Sequence, residues 1–324
     1  MKNKNKFFTS AFALCLLTLT FFSCGKEDVS EQEDSLFEQK IALSDHDHSD
    51  ASDELANLED EIAHDLIESF SFEMEGEPVT ETKILNMVAN IEMDGMPVIK
   101  KLMHYPDGTS VEKFILGGDI EVTLAELKEM NDAGDLRQYR TNNLVTGSNR
   151  TIDILGFTGG SQGLSSKART ALSWAVNNYN RLSNMSLNFR LTFGSSSSAI
   201  NNADMVVFDN TINQSGSGGS AGFPSGGRPF KFCQIFGMEG FTTNVNEHVI
   251  THEIGHAVGM RHTDWFNRIS CGQNSNEGSA GVGVIHINGT PTGNDGSSLM
   301  NACFPNNSNG EFNGNDRNAL RTIY

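Results

Sequence analysis

The sequence predicts an α/β (α+β) protein built from two units. Residues 168–182 carry apolar side chains at helical spacing, and residues 185–193 alternate apolar and polar side chains, as a half-buried strand does. Acidic residues outnumber basic ones by 30 to 9 over Gly25–Val145, whereas each kind numbers 11 over Thr146–Tyr324. This asymmetry indicates two units with different roles.

The first 24 residues are expected to be a targeting segment of the lipoprotein type. Three lysines precede an apolar stretch over Phe7–Phe22, which is too short to span a membrane comfortably. The ending Phe21-Phe22-Ser23-Cys24 resembles a bacterial lipobox, after which Cys24 would be the lipidated first residue. Because Phe21 stands where leucine is usual, an ordinary cleaved signal peptide is the alternative. Both interpretations predict an extracytoplasmic protein, either secreted or a lipoprotein of the outer membrane and cell surface.

The acidic half is expected to contain a tether and a small folded unit. Residues 25–53 are polar and are predicted to be disordered. Residues 54–145 are predicted to form an α+β pro-segment, with the polar stretch 131–148 as the linker. Its expected elements are a helix over 54–70, strands near 84–91, 98–105 and 111–117, and a helix near 123–130.

Residues 146–324 are predicted to form one domain, which is long enough for a substantial core. Ile152 and Ile154 indicate a first strand, and Ser165 is suited to cap the long helix that follows. Residues 205–208 predict a short buried strand. Further along, Asn244 or Asn246 is expected to cap a helix that runs to about Val258, and a short helix is expected over 316–324.

Residues 252–262 have the sequence HEIGHAVGMRH, whose spacing is that of a zinc hydrolase site. His252 and His256 share one face of a helix, and Glu253 beside them can accept a proton from the attacking water. Gly259 allows a left-handed conformation that ends the helix and brings His262 back as a third ligand. Three neutral imidazoles leave a fourth position on the zinc open, which is the arrangement of a catalytic site.

Two alternatives to a peptidase are open at this point. The chain could be a catalytically silent zinc-binding surface lipoprotein that acts as a binding module, although Glu253 has no use in a structural zinc site. It could also be a zinc hydrolase that acts on something other than peptides. Chelator-sensitive hydrolysis of a denatured protein would separate these hypotheses. Asp264 could fix a ligand or a helix end, or it could be a surface carboxylate.

The HExxHxxGxxH run resembles that of the metzincin zinc peptidases, whose second mark is a methionine turn beneath the metal. Ser298-Leu299-Met300-Asn301 lies where that turn is expected, so Met300 would form the apolar floor under the ligands. The wording HEIGHAVGMRHTDW, followed by SLMNAC, is similar to the dual-action HEIGH metallopeptidase family over about residues 110–324. Astacin- and serralysin-type enzymes have a tyrosine ligand two residues after the methionine. That position is Ala302 here, so no tyrosine ligand is expected.

The resemblance implies a zinc metalloendopeptidase with one catalytic Zn²⁺ ion and a protein or peptide substrate. It implies a metzincin-like zincin fold with a twisted mixed sheet, two long helices, the active-site helix below a cleft, and a small irregular C-terminal subdomain. Gly219–Pro224 would be the edge segment that binds substrate backbone, with a plain surface loop as the alternative. A nucleic-acid partner is not expected, because no basic stripe is present. We expect a monomer that contacts the membrane only through its lipid anchor.

The cysteines suggest one disulfide bond. Cys15 is lost with the signal and Cys24 is the lipidation candidate, which leaves Cys233, Cys271 and Cys303. In an oxidising compartment, one pair and one free thiol are expected. We expect the pair Cys271–Cys303, because the polar, glycine-rich loop between them has little apolar area to order it. Pairing of Cys233 with either of the others is the alternative.

The acidic half also contains a candidate zymogen switch. Gly118-Asp119-Ile120 is similar to the aspartate switch of astacin-type pro-segments, in which the aspartate occupies the open zinc position. Gly117 and Gly118 would let the backbone approach the metal closely. A cysteine switch is excluded, because no cysteine lies between Gly25 and Asn149. The alternative is that these residues are only a turn before the following helix, which the spacing fits equally well.

Overall fold

The computed structural model describes residues 70–71, 74–91, 93, 96–132, 140–278 and 283–324. These residues contain six α-helices and eleven strands, which form sheets of two, four and five strands. This is a mixed α+β fold consistent with a metzincin-like peptidase. The expected targeting segment, the tether and residues 54–69 lie outside the described residues. None of the helices in the described part combines the length and the apolar character that crossing a membrane requires.

The N-terminal unit is a four-stranded antiparallel sheet with two helices. The strands are arranged in the order β2-β3-β4-β5, and each adjacent pair is antiparallel. Together with the short strand that precedes them, its elements are β1 (Phe70–Ser71), β2 (Glu77–Pro78), α1 (Thr82–Asn90), β3 (Val98–His104), β4 (Ser110–Leu116), β5 (Ile120–Val122) and α2 (Leu124–Asp132).

The strand predicted near 84–91 is wrong, because this segment is the helix α1. Ile84, Met87 and Val88 are the buried residues of α1, and Ile91 just beyond its end is also buried. Their spacing of three and four residues is the helical period, which places them on one face toward the core of the N-terminal unit. The other predicted elements of this unit between residues 98 and 130 match β3, β4 and α2 within a few residues.

The second unit is built on a five-stranded sheet in the order β9-β10-β8-β6-β7. The pairs among β10, β8, β6 and β7 are parallel, whereas the edge strand β9 pairs with β10 in antiparallel fashion. Its elements are β6 (Thr151–Phe157), α3 (Ser166–Asn180), β7 (Asn188–Gly194), α4 (Ser197–Asn202), β8 (Met205–Asp209), β9 (Gly218–Ser220), β10 (Phe232–Phe236), α5 (Thr243–Ala257), β11 (Cys303–Phe304) and α6 (Gly314–Ile323).

The two long helices begin at hydroxyl caps. Ser165 caps α3 as predicted, since its Oγ accepts a hydrogen bond from the backbone N of Ala168 at 3.2 Å. The prediction for α5 is wrong, because its cap is Thr242, whose Oγ1 accepts from Val245 N at 3.2 Å. Asn246 lies in the first turn instead, where its side-chain amide donates to the carbonyls that precede the helix.

Both faces of the five-stranded sheet are covered. The helices α3 and α5 pack on one face and enclose the main core with Ile152, Ile154 and Ile235. The other face is covered by the sheet of the N-terminal unit. A second apolar cluster lies between the two sheets and combines Met103, Tyr105 and Ile115 of the N-terminal unit with Leu155, Phe157, Val206, Phe208 and Phe236 of the second unit.

Part of the predicted linker packs on the second unit. Thr141 N donates to Gly259 O at 2.9 Å. The backbone of Arg140 forms isolated antiparallel β-bridges with Met260 and with Ile285. Val145 is fully buried, and its N donates to the hydroxyl of Tyr324 at 3.1 Å. Residues 140–145 are therefore held against the loop that carries the third histidine.

Candidate metal centre and active site

Three histidine side chains converge at the end of α5. His252 and His256 are one turn apart on this helix, and the chain leaves it at Gly259, whose φ is 105°. The turn brings His262 back, so that its Nε2 lies 3.1 Å from Nε2 of both His252 and His256. All three side chains are fully buried.

Each of these imidazoles uses its Nδ1 for a different acceptor. His252 Nδ1 lies 3.0 Å from Leu299 O, and His256 Nδ1 lies 2.9 Å from Met260 O. His262 Nδ1 lies 2.7 Å from Oε1 of the fully buried Glu277. Because these acceptors carry no hydrogen, each Nδ1 is the donor, and a neutral imidazole then directs its Nε2 lone pair to the centre of the cluster.

A carboxylate completes the cluster. Asp119 Oδ2 lies 2.8 Å from His262 Nε2, 3.6 Å from His252 Nε2 and 3.9 Å from His256 Nε2. The four ligand atoms lie within 4.8 Å of one another, and all four residues are buried. Three nitrogen lone pairs and a carboxylate oxygen repel one another unless a cation lies between them, and this donor set is one that zinc prefers. The residues therefore fit a metal ion.

The protonation of the cluster follows from burial and from the two carboxylates. Burial lowers the pKa of His252 to about 4, and it also lowers the pKa of His256. Burial acts in the same direction on His262, but Asp119 and Glu277 outweigh it and raise the pKa of this imidazole to about 10. A divalent cation at the centre would replace the proton on His262, because it supplies positive charge to the same carboxylates.

Glu253 lies beside the ligands without partners of its own. Its side chain is 1% exposed, and neither carboxylate oxygen has a hydrogen-bond partner within the described part of the chain. Burial raises its pKa, and the charges of Asp119 and Glu121 raise it further. The edge strand β9 passes directly over it, since a Cβ atom at Gly219 would lie 2.7 Å from Glu253 Cγ. Glu253 therefore lies between the histidine cluster and the sheet edge.

The predicted methionine turn packs against the helix that carries His252 and His256. Met300 is fully buried, and its backbone O accepts a hydrogen bond from Thr263 N at 2.7 Å. A Cβ atom at Gly255 would lie 2.6 Å from Met300 Sδ, so the glycine inside the HEIGH sequence makes room for the methionine. Asp264 is not a surface carboxylate, because it is 1% exposed and accepts hydrogen bonds from Ala302 N and Ser270.

The N-terminal unit reaches the site through the turn between β4 and β5. Gly117 and Gly118 adopt positive φ values of 64° and 110°, and Asp119 follows at the tip of the turn. The backbone then runs along the free edge beyond β9, where Ala221 N donates to Asp119 O at 3.1 Å and Glu121 N donates to Ala221 O at 3.0 Å. Gly219–Pro224, predicted to bind substrate backbone, thus contacts the chain's own N-terminal unit.

Two buried carboxylates near the site were not predicted from the sequence. Glu277 contacts His262, and Oε1 of the same carboxylate also accepts from Arg268 at 2.5 Å. Glu121 accepts hydrogen bonds from Ser220 and Gln234 of the second unit, and burial raises its pKa to about 7. No local signal identifies either residue, because each meets its partners only after distant segments have folded together.

The cysteines of the second unit form one bond. Cys271 and Cys303 are linked as a disulfide, which joins the segment after His262 to the residue just past the methionine turn. Among the cysteines that the structure describes, Cys233 is a buried free thiol. Cys24 lies outside the described residues.

The buried histidine cluster and the family to which the chain belongs identify it as a zinc metalloendopeptidase, a hydrolase of peptide bonds. The chain belongs to the dual-action HEIGH metallopeptidase family, whose model matches residues 114–324. The matched segment begins before Asp119 and thus includes the turn that reaches the histidines.

The solved structures that resemble this chain include two that are titled as structures of myroilysin. They are 16% and 17% identical to this chain, with TM-scores of 0.34 and 0.32. Each match covers 56% of this chain, and the matches cover 95% and 86% of the respective myroilysin chains. Comparison with curated proteins finds no match.

Proposed function

We propose that the chain is a zinc endopeptidase that its own N-terminal unit keeps latent. The observation that carries this proposal is the convergence of His252, His256, His262 and Asp119 on one buried point. The three histidines belong to the second unit, whereas Asp119 belongs to the first. With a metal bound, the N-terminal unit would thus supply a fourth ligand in the place of an attacking water.

In the active form, the three imidazoles hold the metal and Glu253 serves as general base. Zinc, when bound, supplies Lewis-acid chemistry, since it polarises the scissile carbonyl and lowers the pKa of the attacking water. Glu253 accepts the proton of that water and passes it to the leaving amine. Its position beneath β9 supports this role, because a peptide bound along the sheet edge would lie close to the Glu253 carboxylate.

The latent form is held by more than one contact. Asp119 faces the histidines, and its backbone together with that of Glu121 pairs with Ala221 at the sheet edge. A peptide that extends the edge in this way would use the same backbone groups, as in strand addition. The N-terminal unit therefore competes with substrate for both the metal and the edge.

The test compares four zinc-loaded proteins on a denatured protein substrate, with and without a chelator. We expect uncleaved wild type to be nearly inactive, and we expect Asp119→Ala and the chain freed of its N-terminal unit to be active and chelator-sensitive. Asp107→Ala is the matched control, because Asp107 lies in an exposed turn of the same unit. Equal activity of uncleaved wild type and the freed form would refute latency, and no hydrolysis by any form would favour the silent binding module.

We also propose that the protein acts outside the cytoplasm. The basic and apolar composition of residues 1–24 and the Cys271–Cys303 disulfide support an oxidising compartment. Sequencing the N-terminus of the mature extracellular form tests lipidation at Cys24 and locates any processing. A cut that separates the two intact units would fall within residues 133–139, because α2 ends at Asp132 and residues 140–145 pack against the second unit.

A further inference from the structure

The contact between Glu121 and the second unit has the features of a binding pocket. The carboxylate is 1% exposed, and its Oε1 accepts hydrogen bonds from Ser220 Oγ at 2.5 Å and from Gln234 Nε2 at 2.8 Å. Both donors belong to the second unit and are fully buried. Tyr105, which also donates to Glu121 at 3.2 Å, belongs to the N-terminal unit and leaves with it.

The orientation of the two donors is set within the second unit. Asn210 Nδ2 donates to Gln234 Oε1 at 2.6 Å, so the amide nitrogen of Gln234 must face the pocket. That nitrogen also donates to Ser220 Oγ at 2.6 Å, which leaves the Ser220 hydroxyl hydrogen to point at the same place. Asn210 is fixed in turn, because its Oδ1 accepts from Gln162 and Asn213. Two donors are therefore preorganised for one acceptor oxygen.

The pocket lies within reach of a peptide bound at the sheet edge. The backbone of Glu121 is hydrogen-bonded to Ala221 at the sheet edge, and its side chain extends from there into the pocket. Asp119, two residues earlier, faces the histidines. Ile120 between them points into the core of the N-terminal unit. An extended peptide alternates its side chains in the same way, so one side chain would approach the metal and the second along would approach Ser220 and Gln234.

We propose that Ser220 and Gln234 form a substrate subsite that selects a side chain with a carboxylate or carboxamide oxygen. The preferred side chains are thus those of glutamate, glutamine, aspartate and asparagine. An apolar side chain at this subsite leaves two buried donors without an acceptor, and that loss is the source of the selectivity. Glu121 of the latent chain occupies the subsite as such a side chain would. This inference rests on the proposed peptidase function.

The first test is a cleavage profile of the zinc-loaded protein, freed of its N-terminal unit by digestion of the folded full chain. Peptides randomised around the cut should be enriched in acidic or amide residues at one position. Gln234→Leu should lose this enrichment, which is measured as the ratio of kcat/KM for peptides with such residues to kcat/KM for peptides without them. Thr192→Val, on the opposite edge strand β7, is the control and should keep the wild-type profile. Absence of enrichment at every position, or enrichment that survives in Gln234→Leu, would overturn the proposal.

The second test needs no variant of the protein. Synthetic peptides of residues 117–123 are titrated against the same wild-type preparation, and their dissociation constants are compared. Replacing the glutamate that corresponds to Glu121 by leucine should weaken binding about tenfold or more, whereas glutamine should cost only a few-fold. A Val122→Ala peptide is the control, since Val122 lies in an apolar cluster formed mostly by residues of the N-terminal unit. Equal affinity of the glutamate and leucine peptides would overturn the subsite.

The two tests separate this inference from the function on which it rests. A protein that cleaves peptides but binds the glutamate and leucine peptides equally would retain the proposed peptidase function and exclude the subsite. A protein that cleaves no peptide but prefers the glutamate peptide would retain the pocket and exclude the peptidase.

Discussion

At the scale of single residues, the ligand histidines differ in the acceptor that fixes each ring. His252 and His256 donate to backbone carbonyls, whereas His262 donates to the carboxylate of Glu277. Arg268 and Arg261 hold Glu277 from the other side, with nitrogen–oxygen distances of 2.5 Å and 3.6 Å. Burial raises the pKa of Glu277, but His262 and these arginines outweigh it and lower this pKa to about 2. A charged partner makes an imidazole a stronger metal ligand, so Glu277 should act as a positioning residue for His262.

We predict that Glu277→Gln weakens zinc binding by about tenfold to a hundredfold, which is the usual effect of removing the partner of a ligand histidine. The measurement is competition for zinc against a chelating dye, because it reports on affinity independently of activity. Glu311→Gln is the control, since Glu311 pairs with Arg181 away from the histidines. An unchanged dissociation constant would show that the Glu277 charge has no role in holding the metal.

We predict that Glu253→Gln keeps stoichiometric zinc, because all three imidazoles remain. Hydrolysis should fall on the order of a hundredfold or more, which is the scale of a lost general base. Zinc content and kcat on one peptide are measured in the form freed of its N-terminal unit, with wild type as reference. Near-normal kcat with one bound zinc would remove Glu253 from this role.

The sequence identified the residues of the site whose relations are local. The three histidines and Glu253 lie within eleven consecutive residues, so helix geometry alone predicts that they meet. No local sequence pattern identifies Glu277 or Glu121 as part of the site. Their partners lie in other segments of the chain, and the paths of the loops that bring them together cannot be predicted from periodicity. Asp119 lies between these cases, since its glycines predict a close turn, but the sequence fits a plain turn as well as contact with the histidines.

At the scale of elements, the site depends on how closely β9 passes over α5. A Cβ atom at Gly219 would lie 2.9 Å from Val249 Cγ1 and 2.7 Å from Glu253 Cγ, both on the helix. Such distances are too short for carbon atoms, so a side chain here would push the edge strand away from the helix. This close approach keeps the edge strand beside the carboxylate of Glu253, the proposed general base.

We predict that Gly219→Ala lowers kcat/KM for peptides and destabilises the fold by about 1–3 kcal/mol, the usual cost of overpacking. The physical reason is the displacement of β9 from Glu253. Gly240→Ala is a matched control, because a Cβ atom there would have nothing within 4 Å. Peptide kinetics and denaturant unfolding of both variants are the measurements, and equal behaviour of the two would contradict the close approach.

Local patterns predicted the long elements better than the short ones. The apolar residues of α3 and β7 recur with one clear period, and both elements lie within a few residues of the positions that this period predicts. The α1 segment is short and rich in apolar residues, so its sequence alone predicts a strand, whereas the structure has a helix there. The cap of α5 was misplaced because several adjacent polar residues are chemically able to cap, and only the backbone conformation of Thr242 distinguishes it.

The irregular segment after His262 depends on its disulfide. Only a short 3-10 helix over Ile269–Cys271 and β11 are regular between the third histidine and α6 in the described residues. We predict that replacing Cys271 and Cys303 together by serine lowers the free energy of unfolding by about 3–4 kcal/mol, because a loop of this length is no longer closed in the unfolded chain. Cys233→Ala is the control, and non-reducing peptide mapping checks the pairing. A free thiol at Cys271 or Cys303 in the folded wild type would refute it.

At the scale of the whole molecule, the N-terminal unit is part of the packed structure. Its sheet covers a face of the second unit that is lined by Leu155, Phe157, Val206, Phe208 and Phe236. Tyr105 stacks on Phe232 there, with ring centroids 4.5 Å apart. Burial of each large apolar side chain contributes about 1.5–3 kcal/mol to the association of the two units. Release of the N-terminal unit would expose this apolar face, and large exposed apolar patches are uncommon on soluble domains. Cutting the connection between the units does not remove any of these contacts.

We therefore predict that a single cut within residues 133–139 leaves the two fragments associated and the enzyme latent. A specific protease site inserted there would be cleaved, and the product would be examined by gel filtration and by hydrolysis of a peptide. Both fragments should elute together with little activity, because Asp119 and the sheet contacts remain in place. Activity should rise only when the N-terminal unit is itself degraded or released by mild denaturant. The uncut protein with the same insertion is the control, and immediate separation of the fragments with full activity would show that the covalent connection alone retains the N-terminal unit.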